Sequence, residues 1–279
     1  MHNYSSKPNL GFTLVEMAIV LVILGFVLGA LLLPLRAQRE QIFLAQTNAT
    51  LETSKQALLG FAQQQGRLPC PATIASQGRE SPLGGTVAAN PNCALGGVGF
   101  LPAATLGIQP TDDQGFALDG WNNRIRYAVT QNSSAVIVNA ATPDFTSNIA
   151  DNVATPLVNE ADSMNVVGII NLTPDLRVCL NAAVITANTC SAVPPSEVNF
   201  AINNAVAVIY SLGATGALAT GGADETANLN DVDANGVIDD GVFVSHGPAG
   251  VLGNEFDHIV TWISPFVLYN AMIQAGQLH

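Results

Sequence analysis

The stretch GFTLVEMAIVLVILGFVLGALLLPLRAQRE, residues 11–40, decides how this chain is built. From Phe12 to Leu33 only Thr13 and Glu16 are polar. Coiled as a helix at about 1.5 Å per residue, the run is about 33 Å long, enough to cross a bilayer. A cleavable secretory signal would have a shorter apolar core followed by a small-x-small site. Here the run continues unbroken into RAQREQIFLAQTNATLETSKQALLGFAQQQGRLP. In that continuation Ile42, Phe43, Thr47, Leu51, Ser54, Leu58, Phe61 and Ala62 recur at three- and four-residue steps, the stripe of an amphipathic helix. The spacing predicts a single long helix that stops near Gly66, where Gly-x-x-Pro ends it. Its second half needs a globular body to lie on. Its first half needs lipid or other copies of itself.

Glu16 is the exception inside the run. A carboxylate in hydrocarbon costs about 2.5–3.5 kcal/mol on insertion scales. Two readings are open: the side chain snorkels or stays protonated, or it meets a positive partner inside the membrane.

Gly11-Phe12-Thr13-Leu14-Val15-Glu16 at the head of the apolar run resembles the processing site of type IV pilins and type II secretion pseudopilins. The resemblance covers residues 7 to about 40. It implies a leader, residues 1–11, charged by Lys7 and removed by a prepilin peptidase that cuts after Gly11. It implies N-methylation of Phe12, and an assembly role for Glu16, neutralised by the Phe12 amine of a neighbouring subunit. Pro34 resembles the kinking proline of these helices. The implied fold is α+β and pilin-like: residues 12–34 span the membrane, 35–66 form the amphipathic half, and 67–279 form an extracytoplasmic domain with an antiparallel sheet. The implied protein is a minor pilin or pseudopilin of a type II secretion or type IV pilus filament. It starts as a single-pass bacterial inner-membrane protein with its body in the periplasm and ends in a periplasmic or extracellular filament. Its partners are other pilins, the peptidase, an inner-membrane assembly platform and membrane lipid. A surface adhesin or a DNA-uptake minor pilin is the alternative. Arg36 and Arg39 sit on the exported side, so the positive-inside rule does not itself give this orientation.

The rest of the chain agrees with an exported body. The 279 residues are 48% hydrophobic and 11% charged, with a net charge of −12. Seventeen acids lie from Asp112 to Asp257, against Arg124, Arg126 and Arg177. Such a surface repels phosphate backbones, so no nucleic-acid partner is expected. The four cysteines make no CxxC motif. Export makes disulfides the default, with three possible connectivities. Short loops close most readily, which favours Cys70–Cys93 and Cys179–Cys190 among the three; free buried thiols are the alternative reading.

DGWNNRIRYAVT, residues 119–130, reads as a turn leading into a strand. Asp119, Trp121, Asn123 and Tyr127 resemble the Asp-x-Trp-x-Asn-x-x-x-Tyr segment of major pseudopilins, though an expected Gly is Asn here and a Pro is missing. Further strands are expected at 134–140, 165–171, 205–213, 241–246 and 258–264. A helix is expected to open in the segment from Pro195, and a C-terminal helix to begin at Ser264-Pro265. Residues 212–230 read as a low-complexity loop.

In DVDANGVIDDG, residues 231–241, Asp231, Asp233 and Asn235 before Gly236 match the first half of an EF-hand loop, with Asp239 as a substitute acid. The twelfth position is Val242, so the bidentate acid is absent. Calcium is one reading; an Asn-Gly turn with solvated acids is the other. No nucleophile elbow, phosphate loop or dinucleotide fingerprint appears, so no enzymatic role is expected.

Overall fold

A computed structural model describes residues 13–83, 85–86, 92–130, 144–148, 163–186, 189–190, 199–216, 222–229, 241–251 and 254–279, without the side chains of 30–37, 251 and 254. The chain divides into two compact units, 1–44 and 45–279. One helix, α1 (Leu14–Gln65), runs through 52 residues. It stops where the sequence provides for it: Gly66 takes φ +68 while its N–H still reaches the Ala62 carbonyl at 2.9 Å. A left-handed glycine is the usual way to end a helix.

The body then contributes, in order, β1 (Val98–Phe100), α2 (Ala103–Leu106), β2 (Arg126–Val129), α3 (Met164–Val167), β3 (Leu176–Cys179), β4 (Ile185–Thr186), β5 (Thr189–Cys190) and β6 (Phe200–Ala205). There follow β7 (Ala207–Ser211), α4 (Ala223–Asn228), β8 (Val242–Val244), β9 (Ala249–Val251), β10 (Asn254–Phe256), β11 (Ile259–Ile263) and α5 (Pro265–Gln274). An antiparallel sheet in the order β1-β2-β7-β11 forms the middle layer. Side chains alternate across a strand, so β7 faces both ways. Ala207 and Ile209 join a core with Leu51, Leu58 and Ala62 of α1 and Leu268 and Met272 of α5. Val208 and Tyr210 join a second core with Leu176, Val178 and Phe243. That second core lies against a smaller sheet, β6-β3-β8. Two covered faces explain why AVIYS is buried at all five positions.

The stripe of α1 is buried at Thr47, Leu51, Ser54, Leu58 and Ala62. Its polar members are satisfied: Ser54 Oγ donates to the Thr50 carbonyl at 2.7 Å, and Thr47 Oγ1 accepts the Gly120 N–H at 2.9 Å. Gly120 belongs to the turn of DGWNN. There buried Asp119 takes the N–H groups of Trp121 and Asn123 on Oδ1 and the hydroxyl of Ser211 on Oδ2, at 2.9, 2.8 and 2.6 Å. Asn122 adopts φ +67, a conformation asparagine tolerates. The role of Asp119 is therefore structural, binding the entry of β2 to β7. Arg67, just beyond α1, makes a two-pronged ion pair with Glu80 at 2.7 and 2.8 Å. Cys70 is joined to Cys93 and Cys179 to Cys190, with Cα separations of 5.3 and 5.5 Å.

Several expectations are corrected. Residues 165–171 are not a strand: Met164–Val167 form a short helix, and Gly168 at φ +76 turns the chain. The segment after Pro195 does not open as a helix where it is described, since Phe200–Ala205 is β6. The loop 212–230 contains α4. Ile42 is 60% exposed and leaves the stripe. The smaller sheet is mixed, because β3 runs parallel to β8. The strand expected at 134–140 lies outside the described residues.

Candidate functional site

The first unit presents an apolar helix. Leu14, Met17, Ile19, Leu21, Ile23, Leu24, Phe26 and Leu28 are all exposed and occupy every side of it. A helix that is apolar all round requires a non-aqueous or protein environment. Among the described residues no helix is long and apolar enough to cross a membrane. The run read from the sequence, Phe12 to Leu33, extends beyond the described side chains at both ends.

Glu16 sits in the first turn of this helix. Thr13 precedes the first helical residue, and its hydroxyl accepts the Glu16 N–H at 3.3 Å. Glu16 Oε2 in return accepts the Thr13 N–H and hydroxyl, each at 3.1 Å. This reciprocal pair is a capping box. It satisfies backbone donors that hydrocarbon could not, and it places the carboxylate at the positive end of the helix dipole. Thr-x-x-Glu before an apolar run was the sequence signal for it, separate from the reading of Glu16 as a membrane acid. Gly11 and Phe12 lie outside the described residues.

A family model described as the prokaryotic N-terminal methylation motif matches residues 6–32. The chain carries the type IV pilin and pseudopilin signature. No curated protein and no solved structure matches it. The methylation motif thus covers Thr13, Glu16 and most of the apolar run. It leaves the sheet domain without a match.

In the body, the expected calcium residues Asp231, Asp233, Asn235 and Asp239 lie outside the described residues. A different group is formed by Glu225 of α4 and by Asp257 and His258, between β10 and β11. A ring nitrogen and carboxylate oxygens of these three lie within 4.8 Å of one another. Their residue types suit a metal, but the hydrogen bonds do not. Asn228 is clamped by Val244: its amide donates to the Val244 carbonyl at 2.9 Å and its oxygen accepts the Val244 N–H at 2.7 Å. Its nitrogen therefore donates to His258 Nδ1, 3.1 Å away. That leaves the proton of the neutral ring on Nε2, so neither ring nitrogen offers a free lone pair to a metal. Burial pushes His258 down to about 4, against which the Asp257 charge works in the other direction. Nε2 has no partner among the described residues.

His246 contacts Asp224 at 3.1 Å and the Gly247 carbonyl at 2.7 Å, and stacks on Phe256 at 3.9 Å. Among the described residues neither His246 nor His258 bonds a serine hydroxyl, and all four cysteines are in disulfides.

Proposed function

We propose that this chain is a minor pilin or pseudopilin, built into a filament of a type II secretion or type IV pilus system. The observation that supports it most is the methylation motif at 6–32 lying over a helix apolar on every side. The precursor sits in the bacterial inner membrane through residues 12–34, with its disulfide-bonded body in the periplasm. A prepilin peptidase cuts between Gly11 and Phe12, and Phe12 is methylated. A membrane platform then extracts the subunit, and helix–helix contacts replace lipid contacts along the filament.

Glu16 gives this step its register. In the isolated chain its carboxylate is held by Thr13. In a filament the cleaved Phe12 amine of a neighbour supplies a full positive charge, worth far more in low dielectric than in water. Only one axial offset brings the two together. A large, acidic body suits a low-copy position, because such bodies repel and crowd one another along a shaft.

The test replaces Glu16 by Ala and compares the variant in membranes and in sheared filaments. Undiminished membrane insertion with filament incorporation reduced at least about tenfold, the scale of one lost charge pair near 1.4 kcal/mol, is expected. Normal incorporation would remove the register role.

A further inference from the structure

The corner where α4 meets the β10–β11 link contains more carboxylate oxygens than protons to serve them. Thr215 Oγ1 lies 2.9 Å from Asp257 Oδ1 and 3.2 and 3.3 Å from the two oxygens of Glu225. The Thr215 N–H donates to Asp257 Oδ2 at 2.8 Å, and the Asp257 N–H donates to Glu225 Oε1 at 3.0 Å. A hydroxyl owns one proton. Given to Asp257, its nearest acceptor, it leaves a lone pair of Thr215 facing Glu225. That contact is attractive only if Glu225 carries a proton of its own and donates it to Thr215.

Among the described residues no side chain supplies a compensating positive charge. Glu225 is 2% exposed. Among the elements packed on α4, β8 is followed by His246, which is engaged by Asp224, the neighbour of Glu225 on α4 itself. β10 carries Glu255, which is exposed, and leads into Asp257 and His258. The 3-10 turn Ala182–Val184 has no titratable side chain. No lysine or arginine is among the groups acting on Glu225. His258, 5% exposed, accepts the Asn228 amide on Nδ1 and is lowered by burial to about 4, so it offers no counter-charge above that pH.

We propose that Glu225, Thr215 and Asp257 form a one-proton clasp, in which Glu225 donates to Thr215 and Thr215 to Asp257, and that losing this proton releases α4 from the sheet. Burial, reinforced by the Asp257 charge and opposed by the Asp257 N–H, raises the Glu225 carboxyl above its usual range. A group with a raised folded pKa stabilises the fold at low pH, and that contribution is lost as pH rises through the folded value. The glycine before the clasp serves it: Gly213 has φ +63, and a Cβ there would strike the Asp257 carboxylate.

The test melts the full chain in detergent from about pH 5 to about pH 8, beside Glu225→Gln, whose amide donates as the protonated acid does. The difference between the two proteins isolates Glu225, because His258 is present in both. The expected result is matching melting temperatures near pH 5 and a gap of a few degrees opening as pH rises, with the variant more stable. A gap that does not change with pH would overturn the clasp. So would a stabilisation of the wild type by added calcium or zinc near pH 8 that Glu225→Gln abolishes, which would make the corner a cation site. If Glu225→Gln does not fold, Asp257→Asn is melted beside the wild type instead: without the Asp257 charge Glu225 ionises at lower cost, so the variant should lose less stability than the wild type as pH rises, and a difference that does not change with pH would overturn the clasp.

Discussion

Leu28 and Leu58 belong to the same helix and meet opposite surroundings. Leu28 is 62% exposed and Leu58 is fully buried. Around Leu58 the helix is amphipathic, so its apolar side is covered by the sheet of its own chain and its polar side faces water. Around Leu28 no side is polar, so folding of a single chain cannot cover it. The first half of α1 is complete only with lipid or further subunits, and the second half is complete in the monomer. One element thereby carries both the stability of the body and the capacity to associate.

The comparison can be broken from the body side. Arg67, 6% exposed, holds Glu80 across the exit of α1. Arg67→Ala leaves the half-buried Glu80 carboxylate without its cation and should destabilise the body by about 3 kcal/mol, the low end for a buried pair. Denaturant unfolding followed by tryptophan fluorescence should show this, while membrane retention of the chain stays unchanged. Loss of membrane retention by the same variant would mean that the two halves do not act separately.

A smaller effect comes from His258. Its pKa is lowered to about 4, so the unfolded chain binds its proton first as pH falls. The stabilisation is present above about pH 6.5 and lost toward pH 4, with a ceiling of about 3 kcal/mol at 1.36 kcal/mol per unit. His258→Gln should flatten that part of the profile. An unchanged acid profile in the variant would place the titrating group elsewhere.

The smallest effect lies in the first unit. Thr13→Ala removes one side of the capping box and should cost the helix start about 0.5–2 kcal/mol. Amide exchange at residues 14–17 in detergent should rise, with no change in the melting of the body. A change in body melting would show that the cap acts beyond its own turn.

Much of this division was legible in the sequence because it follows from periodicity. The long helix, its end at Gly66, the strands through Tyr127, Ile209, Phe243 and Trp262, and the helix opened by Ser264-Pro265 all follow rules of spacing and turn chemistry. Residues 165–171 failed because a continuous apolar run has no period to separate strand from helix. β3 was missed because LRVC is only four residues long and contains a charge. In α4, Asp224 and Glu225 in the first turn were the available helix signal, hidden by the surrounding Gly and Ala. The cluster of Thr215, Glu225, Asp257 and His258 could not be read at all. Its members come from three segments that only the tertiary fold brings together.

The central claim is that the apolar half of α1 is a processed assembly helix. Mass spectrometry of the membrane-extracted protein tests it most directly. The account predicts a chain starting at Phe12, heavier by one N-methyl group and bearing both disulfides. A chain that retains Met1, or one cut anywhere other than between Gly11 and Phe12, would contradict it.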